Sequence, residues 1–146
     1  MEGSTRSQEP IGRDLGLLLG LALAYRLAFL AAMPRVLDTA DAVHYLETAG
    51  HLLQGDFFGY DPKIPLLYPL LGAIMYGVAP DLEWACRWVS FIASTAAVAP
   101  VYLLARDLHG RRPAQAAGVT VAIWPWLADY GCRVSTEATA SPCAMG

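Results

Sequence analysis

An all-α integral membrane fold is what this sequence predicts, with about three transmembrane helices and shorter juxtamembrane helices in a long first extracytoplasmic loop. Three observations predict it. Hydrophobic residues fill 55% of the 146 positions and charged residues only 16%, against roughly a quarter in soluble domains. The apolar residues are gathered into a few long runs. The length holds three spans and a loop, with no room for a separate soluble catalytic domain. A formal net charge of −3 excludes a basic nucleic-acid binder. Cys86, Cys132 and Cys143 are odd in number and lack C-x-x-C spacing, which argues against a disulfide scaffold or a metal knuckle.

Residues 1–12 are polar and read as a disordered cytoplasmic tail. Positions 15–33 are apolar except for Arg26, and Pro34 closes the run. At 1.5 Å per residue they reach about 28 Å, close to the hydrocarbon thickness of a bilayer. The run is longer than the apolar region of a cleaved signal peptide, about 7–15 residues. Arg26 sits about 10 Å below the outer interface on the same rise, where snorkelling or pairing with another helix would accommodate it.

Positions 35–83 form an outer loop too long for a simple connection. Inside it Asp38 can cap a helix that runs to Leu53 and stops at Gly55. On that helix Val43, Leu46, Gly50 and Leu53 share one face, and His44, Glu47 and His51 another. The pattern suits a helix lying on the membrane surface. The two histidines and Glu47 could hold a metal, but their spacing over two turns reads as a solvated face. Residues 65–79 are apolar, contain Pro65 and Pro69, and are too short for a span; they suit an interfacial or re-entrant helix. Positions 84–105 are long enough to cross, and 113–130 are a weaker third span.

Arg106, Arg111 and Arg112 make 106–112 the densest basic segment, which the positive-inside rule places in the cytoplasm. The N-terminal tail, with Arg6 and Arg13, joins it there if two spans separate them. The 35–83 loop is then extracytoplasmic and carries seven of the thirteen acids. Lys63 is the single lysine among the ten basic residues. Tyr45, Phe57, Phe58, Tyr60 and Tyr68 form an aromatic group suited to interface anchoring or sugar stacking.

In order along the chain come Asp41 with Tyr45 four residues later, Lys63 before Pro65-Leu66, Arg87 one turn into a span, the 106–112 loop, and Glu137. On these residues the chain resembles the N-terminal end of the polytopic GT-C glycosyltransferases, near the protein O-mannosyltransferase and lipid A aminoarabinose transferase branch. The likeness covers about 13–137. Two departures stand out: Ile64 interrupts the usual tandem proline, and Ala42 stands where many members carry a second acid.

The resemblance implies sugar transfer from a polyprenyl- or dolichyl-phosphate-linked donor to an acceptor hydroxyl outside the cytoplasm. Such chemistry needs a base for the acceptor and positive charge on the departing phosphate. It implies Asp41 as the base and Glu137 as a second site acid, with Lys63 and Arg87 on the phosphate and Tyr45 on the substrate. A helix start favours ionised Asp41, so no metal or other cofactor is expected. The implied partners are the lipid-linked donor, a glycan, protein or lipid acceptor, and membrane lipids, with no nucleic acid. The implied location is a bacterial inner or cell membrane. Residues 138–146 lack the next span that the resemblance implies, so the sequence predicts a truncated chain, inactive alone. A small non-enzymatic membrane protein that binds a lipid or partner through its outer loop is the alternative. Part of a transporter is another, although Arg26 alone offers buried charge for it.

Overall fold

The computed structural model describes residues 11–32, 40–57 and 63–134. All secondary structure among them is helical: α1 (Ile11–Ala32), α2 (Ala40–Leu53), α3 (Leu67–Met75), α4 (Leu82–Ala96), α5 (Val98–His109), α6 (Arg111–Ile123) and α7 (Pro125–Cys132). Residues 1–10 of the expected tail, the Asp38 cap and residues 138–146 lie outside the described residues; Ile11 and Gly12, expected in that tail, are instead the first residues of α1.

Local chemistry sets most of the helix ends. Gly55 takes φ 77°, a conformation cheap only for glycine. The Asp56 amide then donates to the His51 carbonyl (3.0 Å) and closes α2 where the sequence stops it. Asp81 is extended and caps α4 by accepting from the Trp84 amide at 2.8 Å, so the helix begins two residues before the expected span. Pro100 has no N–H to offer Ala96, and Ala97 separates α4 from α5. The two still form one rod, Leu82–His109, of 28 residues and about 42 Å. Gly110, at φ 86°, turns the chain into α6.

Two helices are long and apolar enough to cross a bilayer, Ile11–Ala32 and the rod Leu82–His109. The third span expected at 113–130 is divided. Trp124 leaves the helical region at ψ 114° and Pro125 lacks the amide that would continue the ladder. Neither α6, at 13 residues, nor α7, at 8, reaches spanning length.

α1 buries a stripe of Asp14, Leu18, Ala22 and Arg26. Leu18 and Ala22 pack against Val98, Tyr102, Ala114 and Ala122 of α5 and α6. Small residues dominate this seam because close backbone approach drives helix association in lipid. At one end of the seam the Asp14 carboxylate accepts from Arg111 Nε (2.7 Å), Arg111 Nη2 (3.0 Å) and the Tyr102 hydroxyl (3.1 Å). Arg106 donates to that hydroxyl in turn, at 2.9 Å. Two of the three arginines that signal topology thus also fasten α6 and α5 to the first turn of α1. The contacts place the start of α1 and the α5–α6 turn at one end of the bundle.

Arg26 ties the middle of the bundle. It is wholly buried, and Nε donates to Ser94 Oγ on α4 (3.1 Å) while Nη1 donates to the Ala122 carbonyl on α6 (2.9 Å) and to Ala22 of its own helix (3.3 Å). Its carbonyl accepts from the Cys132 thiol on α7 at 3.6 Å. Ala122 lies in the last turn of α6, where the break at Trp124 leaves carbonyls without intrahelical partners. A cation is also favoured at the negative end of a helix. Of the two expected accommodations for Arg26, pairing with other helices is the one the fold adopts.

α3 crosses α4 at Gly72, where an added Cβ would lie 2.5 Å from Cys86 Sγ. Both residues are buried, so Gly72→Ala is expected to destabilise by about 1–3 kcal/mol through overpacking. Truncating the opposing thiol, in Gly72→Ala/Cys86→Ala, should recover most of it. Unfolding in SDS-containing mixed micelles measures both; a double variant no better than the single one would refute this steric account.

Candidate functional site

The end of the bundle opposite Asp14 is built by α2, α3 and the first turns of α4. One hydrophobic cluster holds it together: Ala42 and Tyr45 from α2, Tyr68 from α3, Cys86 and Val89 from α4, and Val134 from the residues after α7, with Ile64 and Leu71 packed alongside. Four of these members are, or adjoin, site residues read from the sequence. Ala42 follows Asp41, Tyr45 is itself a candidate, Ile64 follows Lys63, and Cys86 precedes Arg87. The tertiary fold therefore gathers Tyr45 and the chain neighbours of Asp41, Lys63 and Arg87, up to 44 positions apart in the chain, into one cluster. Glu137 lies outside the described residues; Val134, three positions earlier, is in the cluster.

Asp41 is the acid of the first turn of α2 and is exposed. The face of α2 that packs inward carries Ala42, Tyr45, Ala49 and Leu52. Val43, 41% exposed, and Leu53, 44% exposed, face away from the protein, as lipid-directed positions would. On the polar face His44 Nδ1 stands 3.6 Å from Glu47, and His51 Nδ1 is 3.2 Å from Asp56. No cluster of metal ligands exists among the described residues.

Tyr45 is a core residue, 8% exposed, with its ring edge-on to Tyr68 at 5.2 Å and 72°. An open stacking platform, one option the sequence left for it, is not what this burial provides. Tyr68 is the hub beneath it. Its hydroxyl donates to the Cys86 carbonyl (3.0 Å) and pairs with Ser90 Oγ (2.9 Å), which fixes α3 on α4. Lys63 is exposed in the turn that leads into α3.

Arg87 does not snorkel outward. It is 3% exposed, its Nη2 lies 2.7 Å from Glu83 Oε1 one turn earlier, and its guanidinium carbon is 5.9 Å from the Trp84 ring centroid. Its Nε has no hydrogen-bond partner among the described residues. At the end of α7 Arg133 pairs with Asp129 at 3.0 Å. Of the candidates, Asp41 is thus an exposed carboxylate, Lys63 an exposed side chain, and Arg87 an inward guanidinium whose Nε has no hydrogen-bond partner among the described residues.

Sequence reasoning missed the Glu83–Arg87 pair, for which the i, i+4 spacing is a legible signal. It singles out Tyr68 as an interface or sugar-stacking ring, whereas Tyr68 is a buried core residue. Nothing local marks that core role, because its hydrogen-bond partners lie 18 and 22 positions away.

Among known proteins, the family described as dolichyl-phosphate-mannose-protein mannosyltransferase matches residues 63–146, more than half of the chain. The match opens at Lys63 and takes in α3 to α7; Asp41 and Tyr45 precede it. No curated protein and no solved structure matches the chain.

Proposed function

The chain belongs to the dolichyl-phosphate-mannose-protein mannosyltransferase family, a family of membrane glycosyltransferases of the GT-C type, and on that premise we propose that it moves a sugar from a polyprenyl- or dolichyl-phosphate-linked donor to an acceptor hydroxyl on the extracytoplasmic side. Two apolar helices of spanning length, in a family of this kind, make it an integral membrane protein. The observation that carries the reading is the cluster that joins Ala42, Ile64 and Cys86, the chain neighbours of Asp41, Lys63 and Arg87.

In the proposed reaction Asp41 takes the proton of the acceptor hydroxyl. The acceptor oxygen bonds to the anomeric carbon from the face opposite the phosphate, the carbon–oxygen bond to phosphate breaks, and the configuration inverts. The bonding electrons leave with the lipid phosphate, whose charge Lys63 and Arg87 offset. Phosphate leaves without prior protonation, so one carboxylate and two cations suffice. Tyr45 serves by seating the first turns of α2 against Tyr68, which holds Asp41 at this end. Glu137 is assigned as the second acid, three residues after Val134 in the chain. The Asp14–Arg111 contact supports the orientation in which the α1 start and the α5–α6 turn face the cytoplasm, because it brings the two arginine-bearing segments to one side.

The test is transfer from a polyprenyl-phosphate-linked, radiolabelled mannose in nanodiscs, by the chain and by a full-length version that carries these residues. Asp41→Asn in the full-length version is expected to lower the rate about 10²–10⁴-fold, the usual contribution of a positioned base. An undiminished rate in that variant would remove Asp41 from the role. No transfer by either wild-type form would favour lipid or partner binding through the outer loop instead.

A further inference from the structure

We infer that Arg26, buried in the first span and away from the candidate site, is a positioning residue for that site: it fixes the registers of α4 and α7 that carry Cys86, the neighbour of Arg87, and Val134 into the cluster beneath α2. The inference rests on the site reading given above.

Its first support is the reach of one residue. The guanidinium of Arg26 contacts α4 at Ser94 and α6 at Ala122, and its backbone carbonyl accepts from Cys132 of α7. From Ser94 the same face of α4 continues through Ser90 to Arg87, and Ser90 holds the Tyr68 hydroxyl on which Tyr45 rests. From Cys132 the chain passes within two residues to Val134, which packs with Ala42 and Tyr45. Two independent routes therefore lead from Arg26 to the residue beside Asp41.

The second support is the cost of the choice. A cation in a span is expensive, and none of its hydrogen-bond partners among the described residues is a carboxylate. An apolar side chain of similar volume would pack the same helices without that cost. What it could not supply is direction, since a planar fork donates along fixed vectors to two helices at once. Nη2 has no partner among the described residues, so full satisfaction of the charge is not what sets the geometry. The third support is a space kept free for the joint. Gly131 of α7 lies against Ser94, and an added Cβ would collide with the Ser94 hydroxyl and sit 3.8 Å from Arg26 Nε.

The experiment compares the wild-type chain with Arg26→Lys and Gly131→Ala in nanodiscs, by amide hydrogen exchange and by transfer kinetics. Lysine keeps the positive charge and loses the fork. Gly131→Ala keeps Arg26 and displaces Ser94 from it. Both are expected to speed exchange at residues 42–49 of α2 about tenfold, the equivalent of one lost charge-assisted hydrogen bond. Transfer should show kcat lowered by about tenfold or more with the donor KM little changed, as for misplaced reacting groups. Rescue by lysine of both readouts would mean that charge alone matters and would overturn the inference. So would faster exchange in Gly131→Ala confined to 91–97 and 128–132, with α2 at the wild-type rate. Should Arg26→Lys fail to fold, Gly131→Ala decides by itself. Absence of transfer by either wild-type form counts against the proposed function and leaves the exchange comparison intact.

Discussion

Glu83→Ala is expected to destabilise the protein by about 2–3 kcal/mol, while Arg87→Met should change stability by less than about 1 kcal/mol, because an unpaired buried charge costs more than an absent one. Arg87 is almost fully enclosed, with a side chain 4% exposed, whereas Glu83 keeps 31% of its side chain open. Removing the carboxylate leaves the guanidinium enclosed with its Nε already unpartnered among the described residues, and the Trp84 ring remains near the charge. The partial exposure of Glu83 holds the expected loss below the 3–5 kcal/mol of a fully buried pair. Removing the cation instead lets Glu83 turn to water and leaves an apolar side chain against the ring. The double variant Glu83→Ala/Arg87→Met should therefore be more stable than Glu83→Ala alone. SDS-driven unfolding of the three variants decides the matter, and a double variant weaker than Glu83→Ala would show that the pair is held by something other than charge. The same series separates stability from function: Arg87→Met should fold well and transfer poorly if the phosphate contact is real.

Tyr68→Ala is expected to cost about 3–5 kcal/mol, the range for emptying a buried aromatic site, and Tyr68→Phe about 1–2 kcal/mol for its hydroxyl contacts. The ring fills the space between α2 and α4 and packs against Tyr45. In the alanine variant α2 loses its seat, so exchange at α2 amides should rise far more than exchange in α1. The phenylalanine variant keeps the seat and loses the bonds to Cys86 and Ser90. Its α2 should exchange within a few-fold of wild type. Equal effects from the two substitutions would place the value of Tyr68 in its hydroxyl and not in its ring.

How much of this was legible beforehand differs from residue to residue. Apolar runs located α1 and the Leu82–His109 rod, since crossing a bilayer is a matter of length and composition. Gly55 announced the end of α2 because its backbone conformation is a local property. The short apolar stretch at 65–79 was read as a helix that does not cross, and α3 at Leu67–Met75 is indeed short. The division of 113–130 was written in Pro125 and was read past, because hydropathy averages over a single missing amide. Asp41 and Lys63 are candidates that the sequence offers through the order acid, aromatic, lysine, proline along the chain.

By itself, then, the sequence determined the helical class, the apolar helices and the family. Each depends on the chemistry of neighbouring residues or on their order. Only the tertiary structure decided that Arg87 turns inward to Glu83, that Tyr45 lies in the core on Tyr68, and that Arg26 joins four helices. Those outcomes depend on which surfaces meet after docking. A guanidinium in a span must find acceptors somewhere, and no local pattern says that they are a serine 68 positions away and a carbonyl 96 positions away.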